Sequence, residues 1–454
     1  MGRVRLAVWS PLPPTPSGIA DYTAEVLPAL ARRAEVWAVV QDPRACAPFL
    51  ECEVVDPEHV PDVDLHVYQL GNSPSHGYCY RAAIAQPGVV VLHEWSLHHL
   101  VLHETLERGD RAAYLREMRR AHGEQGTFVG RQVARALGGD MLPALYPLNE
   151  RVLEGALGVV GLTRYIAGRA KARAPQQPVL HLPHHFSFPR AGPLADSAET
   201  RPTREQARAL LGLPPQALLV TAPGLATAAK RIETAMRVVG RLRERWPALH
   251  LVLAGDVDAK LPLEQWAHDS RCGDGLIVTG RLSLEDFARH LIAADIVLAL
   301  RFPSHGEISG ALLRAAGIGR PCIVTGATPA AEEFPEGVVA PIDPGAGEAA
   351  QLEALLAHML DQPDFRESMG RVAARYVKRH NDLDDTADTL VSFLRSVIEL
   401  RPQLEARLEA RRTPDGSLLR YYMDEIHWSG FELGLGGVPL GLEDLLTELT
   451  GPHR

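Results

Sequence analysis

The most informative block of this sequence is Arg301-Phe-Pro-Ser-His-Gly-Glu-Ile-Ser-Gly-Ala-Leu-Leu-Arg-Ala-Ala-Gly-Ile-Gly-Arg-Pro321. The segments on either side of it, residues 294–300 and 322–325, are short and apolar, as buried strands are. Inside the block, apolar residues recur at helical spacing at Ile308, Leu312 and Leu313. The block therefore predicts a unit of strand, loop, helix and strand.

The loop of this unit combines polar side chains with small residues. It carries Ser304, His305, Gly306 and Glu307, and Ser309 and Gly310 follow directly. Small residues let a ligand approach the backbone, and free N–H groups at a helix start attract anions and hydroxyl groups. Two interpretations of Glu307 stay open: an N-terminal cap of the helix, or a carboxylate that binds the hydroxyl groups of a polyol.

Composition limits the class of protein. A chain of 454 residues with 46% hydrophobic and 23% charged residues fits two or three globular domains. The formal net charge of −9 argues against nucleic-acid binding as the main function. The five cysteines are scattered without CxxC pairing, and no apolar run reaches membrane-spanning length. We therefore expect a soluble, cytoplasmic protein.

The first half opens with a strand, loop, helix and strand. Residues 4–9 and 35–40 have the apolar pattern of strands, and residues 19–30 have helical periodicity. The loop between them is rich in Pro and ends at Gly18, but the dinucleotide fingerprint GxGxxG is absent. Gly18 is either a simple turn residue or a point where a substrate approaches the backbone.

Further strands are predicted along the first half, each followed by polar residues. They are residues 65–70, 88–92, 158–162 and 179–182. After the second of these come His93, His98, His99 and His103, but no HExxH spacing is present. A metal site is therefore disfavoured, and His93 alone is favoured as a polar group in a cleft.

A polar segment with Pro and Gly, residues 190–202, is the best candidate for a linker. After it the alternation resumes, with strands at 217–221, 249–254, 276–279 and 337–342 and an amphipathic helix at 230–246. The predicted domains are 1–195, 205–395 and a helical tail, 396–454, of unassigned role. Two doubly wound sheets joined by a linker create a cleft between their loop ends.

Several of these motifs, in order, resemble one enzyme family. In the second half they are Gly224 to Lys230-Arg231, Gly255, Gly280, Asp295 and residues 303–321, and in the first half they are residues 10–18, 69–72 and 89–93. Together they resemble retaining glycosyltransferases of family GT4. The resemblance implies the α/β GT-B fold, with two Rossmann-like parallel-sheet domains facing a central cleft and C-terminal helices. It also implies a nucleotide-diphosphate sugar donor on the second domain, an acceptor on the first, and transfer with retention.

The family's motifs are altered here at two positions. The Arg of its basic pair is replaced by Leu225, and the second Glu of its E-x7-E motif by Arg314. The first Glu falls on Gly306, next to Glu307, as in a subgroup with a Gly-Glu-x-Ser-Gly block. These departures affect how the ribose is held and which donor is used.

The resemblance assigns roles residue by residue. Lys230 and Arg231 would contact the diphosphate, Glu307 the sugar hydroxyls, and His93 would position the donor sugar or the acceptor. The full set of donor-binding candidates is Gly18, Gly224, Lys230, Arg231, Gly280, Arg301, Gly306, Glu307, Ser309, Gly310 and Arg314. Acceptor-binding candidates are Gly18, Asn72 and His93, and the catalytic candidates are His93, Glu307 and Lys230.

No cofactor and no metal are expected beyond the donor itself. Among the Asp-x-Asp pairs only Asp256/Asp258 follows a strand, and the cations and the helix start can neutralise the diphosphate without it. The expected partners are the donor and a glycan, lipid or small-molecule acceptor, with a peripheral position at the inner face of a membrane left open. Two rivals remain: a non-catalytic nucleotide-sugar or glycan-binding subunit, and a two-Rossmann enzyme such as an epimerase or phosphorylase.

Overall fold

The computed structural model describes residues 3–46, 51–187 and 201–412. Most of the predicted linker at 190–202, and the tail from residue 413 onward, lie outside the described residues. The chain divides into two compact units, Met1–Ile398 and Glu399–Arg454. Both sheets belong to the first unit. The domain boundaries inside it stay predictions.

The first sheet contains seven strands, all paired in parallel. They are β1 (Arg5–Trp9), β2 (Glu35–Val39), β3 (Glu53–Val55), β4 (Leu65–Leu70), β5 (Val89–Leu92), β6 (Gly158–Gly161) and β7 (Val179–His181). Their order across the sheet is β3-β2-β1-β4-β5-β6-β7. The strands β4, β5 and β6 are buried along their whole length, which explains why the sequence shows them as continuous apolar runs.

The second sheet repeats this plan with six parallel strands. They are β8 (Leu218–Pro223), β9 (Leu249–Ala254), β10 (Leu276–Val278), β11 (Ile296–Ala299), β12 (Cys322–Thr325) and β13 (Ala340–Ile342). The order is β10-β9-β8-β11-β12-β13, so the direction of winding reverses between β8 and β11. Ligands in sheets of this kind bind at the carboxyl ends of the strands near such a reversal.

Sixteen described helices cover the sheets and connect their strands. Those of the first half are α1 (Gly18–Ala31), α2 (Gly77–Ala85), α3 (His98–Glu104), α4 (Arg111–Val133), α5 (Leu142–Leu145), α6 (Glu150–Gly155) and α7 (Arg164–Arg173). The others are α8 (Arg204–Leu210), α9 (Ile232–Leu242), α10 (Leu263–Asp269), α11 (Leu284–Ala293), α12 (Gly310–Gly317), α13 (Pro329–Glu332), α14 (Glu348–Asp361), α15 (Pro363–His380) and α16 (Leu383–Arg412). No helix among the described residues is long and apolar enough to cross a membrane.

The helix α9, which follows β8, begins later than the sequence predicts. The amphipathic pattern at 230–246 predicts a helix from Lys230, but α9 runs only from Ile232 to Leu242. Arg231 has φ 58°, in the left-handed region, so it interrupts the helix, and a short 3-10 turn, Ala228–Lys230, precedes it. Lys230 therefore lies in a turn beside the sheet edge.

The two predicted Rossmann-like domains with parallel sheets, and the predicted C-terminal helices, are present. The core of the second domain packs on both faces of its sheet. One apolar cluster includes Ile232 and Leu253, and another includes Leu312 and Leu313 from α12. This packing holds α12 and the loop before it in place at the sheet edge.

Candidate functional site

A pocket lies at the carboxyl ends of β11 and β12, around the start of α12. Its lining combines a guanidinium, a carboxylate and hydroxyl groups with a small apolar floor. The lining residues are Ala299, Arg301, Ser304, Glu307, Ser309, Leu312, Val324, Thr325, Thr328 and Ala330. Three of the predicted donor-binding residues, Arg301, Glu307 and Ser309, are thus brought together, with Ser304 of the same loop beside them. The loop of the informative block forms this site, where the strand order predicts one.

Glu307 supports the loop rather than capping the helix. The cap of α12 is Ser309, whose side chain accepts a hydrogen bond from the Leu312 amide, so the capping interpretation of Glu307 is wrong. One carboxylate oxygen of Glu307 lies 3.0 Å from Nε of Arg301. The other accepts hydrogen bonds from the His305 amide at 2.6 Å and from the Ser304 hydroxyl at 3.3 Å. Glu307 therefore fixes the loop and keeps its charge beside Arg301 in the pocket wall.

Lys230 approaches the same edge of the sheet from the loop after β8. Its Nζ donates to the Pro223 carbonyl at 2.5 Å. A Cβ at Gly224 would lie 3.0 Å from that Nζ, and Gly224 has φ 79°, so a glycine is needed there. Burial, and to a smaller degree the charge of Arg301, lowers the pKa of Lys230 to about 7. The backbone of this turn is joined to the loop after β11, because the Phe302 amide donates to the Ala229 carbonyl at 2.7 Å.

Two predicted donor-binding cations are engaged elsewhere. Arg231 forms an ion pair with Glu348 at 2.6 Å, and Arg314 forms one with Glu25 of α1. Both carboxylates are largely buried. Neither arginine lines the pocket, and neither does Gly280, whose Cβ position faces open space at φ 67°. The sequence motif therefore marks these positions without showing where their side chains point.

Arg314 belongs to a buried polar group that joins α12 to the first domain. Burial alone would raise the pKa of Glu25, but the hydrogen bond from His185 and the charge of Arg314 lower it to about 2. His185 Nε2 lies 3.0 Å from the second oxygen of Glu25. Asp21, one turn earlier on α1, has its pKa raised by burial, against the charge of Arg314. Arg314 stands where the family motif has its second Glu. It thus forms an ion pair with Glu25 of the first domain.

His93 is buried beneath α1. Its Nε2 lies 2.7 Å from Oε1 of Gln69, and its ring meets the edge of the Tyr22 ring at a centroid distance of 4.7 Å. Burial lowers the pKa of His93 well below the ordinary value, and the neighbouring His184 lowers it further, so the ring is neutral. The role given to His93, positioning the donor sugar or the acceptor, stays a prediction.

The other histidines of this segment each have their own partner. His98 lies against the Tyr146 carbonyl at 2.6 Å, His99 against Asn72 at 3.0 Å, and His103 against Glu107 at 2.9 Å. They do not converge on one point. In the ranges that the structure describes, no group of three or more His, Cys, Asp or Glu side chains is arranged to hold a metal ion.

The loop of the pocket also touches the first domain. The Trp95 amide donates to the His305 carbonyl at 2.6 Å, and the Thr163 hydroxyl donates to the Gly306 carbonyl at 2.9 Å. A Cβ at Gly306 would lie 2.9 Å from the Tyr165 ring, so this glycine allows close packing between domains. Gly18 begins α1 with open space at its Cβ position, and Gly310 faces His184 at 3.5 Å.

Two residues at this junction, Glu94 and His305, have no role assigned from the sequence. Glu94 accepts a hydrogen bond from the Asn72 amide at 2.7 Å, and its other oxygen lies 3.8 Å from Nδ1 of His305. The only signal available was their position, since each follows a strand end next to a predicted site residue. Their proximity depends on how the two domains meet, which no local pattern encodes.

Comparisons with known proteins agree with this architecture. Residues 216–358, which include the pocket, match the family described as Glycosyl transferases group 1. A comparison with curated proteins finds no match.

Several solved structures share the fold over most of the chain. Sucrose-phosphate synthase from Thermosynechococcus elongatus is 16% identical with a TM-score of 0.61, over 87% of this chain and 100% of the other. Anabaena HepE, solved in complex with UDP-glucose, is 13% identical with a TM-score of 0.58 over the same shares. WaaG, a glycosyltransferase involved in lipopolysaccharide biosynthesis, is 15% identical with a TM-score of 0.56, over 86% and 99%. At these identities the likeness concerns the fold, and it confirms the predicted GT-B fold class.

Proposed function

We propose that this protein is a glycosyltransferase that moves a sugar from a nucleotide-diphosphate donor to an acceptor hydroxyl with retention of configuration. The observation that carries the proposal is the pocket at the start of α12, where Arg301, Glu307 and Ser309 meet at the strand ends. It lies inside the segment that matches the glycosyltransferase family. HepE, which shares the fold, was solved with UDP-glucose, which supports a donor of this class.

The residues present fit the chemical demands of such a transfer. As the bond to the sugar breaks, negative charge gathers on the leaving diphosphate, and fixed cations and N–H groups stabilise it. Arg301 lines the pocket, Lys230 lies close enough to Arg301 for their charges to interact, and the first turn of α12 supplies N–H groups. In this mechanism Glu307 binds sugar hydroxyls and aligns the sugar. Arg231 and Arg314 act through their ion pairs, as supports.

A non-catalytic sugar-nucleotide or glycan-binding subunit is the second candidate. It is favoured by the ion pairs of Arg231 with Glu348 and of Arg314 with Glu25, which occupy two cations expected on the donor. Release of nucleoside diphosphate from a panel of donors in the presence of acceptors separates the two candidates. A binding subunit would be stabilised by the donor without releasing product.

We expect one nucleoside diphosphate to protect the protein against thermal unfolding. A ligand at about 100 times its Kd stabilises the folded state by about 2.7 kcal/mol, which is visible as a rise in melting temperature. The measurement is a thermal-shift screen with UDP, GDP, ADP and dTDP, and NAD is the control dinucleotide. Protection by NAD, with none by any nucleoside diphosphate, would exclude the transferase.

We also propose that the reaction needs no divalent metal. Asp256 is exposed, and Asp258 accepts a hydrogen bond from the Lys260 amide at 3.0 Å within its own turn. The diphosphate charge is met instead by Lys230, Arg301 and the helix start. Activity is therefore expected to survive EDTA, and a variant with Asp256→Ala and Asp258→Ala is expected to keep most of its rate. Complete loss with EDTA, restored by Mn²⁺, would move the donor site to this turn.

A further inference from the structure

Four polar side chains from both domains meet beside the pocket, and we name them the bridging cluster: Asn72, Glu94, His99 and His305. Glu94 is held by the Asn72 amide at 2.7 Å and lies 3.8 Å from Nδ1 of His305. Nδ2 of Asn72 lies 3.0 Å from Nδ1 of His99, and the rings of His99 and His305 are 6.1 Å apart between centroids. Three of the four belong to the first domain, and only His305 comes from the second.

The cluster is held in place yet keeps unused hydrogen-bonding capacity. The backbone of His305 is fixed on both sides, by Glu307 at its amide and by Trp95 at its carbonyl. Its Nε2 is buried and has no hydrogen-bond partner among residues 3–46, 51–187 and 201–412. An unpaired buried polar atom is destabilising, so this ring nitrogen is a candidate to pair with a group of a ligand.

The cluster is also partly open to solvent. The side chains of Glu94 and His305 are 21% and 18% exposed, and His99 is exposed. Ser304 and Glu307, on either side of His305, line the donor pocket. A sugar held by Glu307 and a second molecule held by Glu94 would therefore meet at His305.

We propose that Asn72, Glu94, His99 and His305 form an acceptor subsite for a neutral, hydroxyl-rich group. The inference rests on the proposed transferase function and adds the chemical class of the acceptor. Carboxylate and amide oxygens accept hydrogen bonds from hydroxyl groups, and imidazole N–H groups donate to hydroxyl oxygens. The four side chains act here as positioning residues.

The charges of the cluster favour a neutral ligand. Burial lowers the pKa of His305, but Glu94 and Glu307 raise it more, so that it ends above the ordinary value despite the charge of Arg301. Burial, and then His305, lowers the pKa of His99, which is therefore neutral. The Glu94 carboxylate and the His305 ring, 3.8 Å apart, therefore compensate each other's charge when the ring is protonated. A neutral hydroxyl-rich group can form hydrogen bonds with both, whereas a charged group would compete with one of them for its partner.

The test compares two acceptor-side variants with a matched control. Glu94→Gln and His305→Gln remove one partner each from the bridging cluster. Asp56→Asn removes the carboxylate of an exposed histidine–carboxylate pair in the same domain, where Asp56 lies 2.7 Å from His59. The probes are methyl α-glucopyranoside, glucuronic acid and glucosamine, used with the donor whose nucleoside diphosphate protects the wild-type protein.

We expect the wild-type protein to prefer the neutral probe. Glu94→Gln and His305→Gln should raise the KM for that probe about 10-fold or more, the effect of losing one hydrogen bond to a charged group. Stabilisation by the nucleoside diphosphate should stay unchanged in both variants, and Asp56→Asn should match the wild type. In the wild type the KM should rise as the pH is raised through the pKa of His305, because the ring loses its proton. Glu94→Gln should move that rise to lower pH, because Glu94 raises the pKa of His305.

Each other outcome overturns the inference. If the variants lose nucleotide binding in parallel with acceptor use, the cluster supports the fold of the loop and is not a subsite. If the wild type transfers only to the acidic or the amino sugar, or the KM values do not change, the acceptor class is wrong. If the wild type binds no nucleoside diphosphate at all, the proposed function fails, and the subsite fails with it. The nucleotide-binding assay therefore separates the two failures.

Discussion

Replacing Lys230 by methionine is expected to weaken nucleoside-diphosphate binding by at least about 100-fold and to raise the melting temperature. A cation about 4 Å from a phosphate contributes roughly 4 kcal/mol at an effective dielectric near 20. Its loss therefore corresponds to more than about a 100-fold decrease in affinity. Methionine has a similar length but carries no charge. The two effects have opposite signs because the residue is placed for a ligand at a cost in stability.

The stability effect follows from the pKa of Lys230, which burial lowers to about 7 from its ordinary value of 10.5. Below about pH 7 the folded protein holds a buried cation, so the destabilisation is complete there. As pH rises from about 7 to about 10.5, the folded protein has released the proton while the unfolded chain keeps it, and the destabilisation fades. The gain of Lys230→Met should therefore be largest near pH 6 and smaller near pH 9, by the same linkage.

The measurements are melting curves at both pH values, with and without the protecting nucleoside diphosphate. Lys260→Met is the control, since Lys260 is an exposed lysine in a turn of the same domain. Lys230→Met with unchanged nucleotide affinity would remove Lys230 from the donor site. A lower melting temperature at both pH values would show that its bond to the Pro223 carbonyl outweighs the buried charge.

Replacing Glu307 by alanine is expected to lower turnover by at least about 100-fold, because misplacement of the reacting groups by about 1 Å costs that much. The variant loses the carboxylate that aligns the sugar and also the hydrogen bond to the His305 amide. Since α12 is capped by Ser309, the helix itself should persist. The measurement is the steady-state rate together with the melting temperature.

Glu307→Gln separates the two roles of this side chain. The amide oxygen of glutamine can still accept from the His305 amide, so the loop keeps its shape, while the charge beside Arg301 is lost. We expect Glu307→Gln to melt like the wild type and to remain strongly impaired in turnover. If the glutamine variant recovered the full rate, Glu307 would be a loop support only, and the assignment of sugar binding would be wrong.

The strands were predictable because each half of the molecule is a buried parallel sheet. The predicted segments 65–70 and 249–254 coincide with β4 and β9, since strands buried on both faces are continuous apolar runs. The strand β3 was missed because Glu53–Val55 has only three residues and begins with a charge. Its place in the sheet comes from pairing with β2, which local sequence does not show.

The site was predictable in position but not in the direction of its side chains. The strand–loop–helix pattern located the pocket, and Arg301, Glu307 and Ser309 line it. Arg314 has a helical position that looks equally suitable, yet its partner Glu25 lies in the other domain. Whether an arginine turns to a ligand or to a distant carboxylate depends on tertiary contacts, and so does the pKa of Lys230.

The contacts that Trp95 and Thr163 make with the carbonyls of His305 and Gly306 bear on the modularity of this architecture. Part of the scaffold for the loop after β11 is supplied by the other domain, whose Trp95 amide and Thr163 hydroxyl donate to backbone carbonyls of the loop. No substitution within the loop removes those carbonyls. The two halves are therefore not interchangeable parts. A chimera that joins this second domain to a foreign first domain must carry the equivalents of Trp95 and Thr163 with it, or its loop will be built without two of its supports.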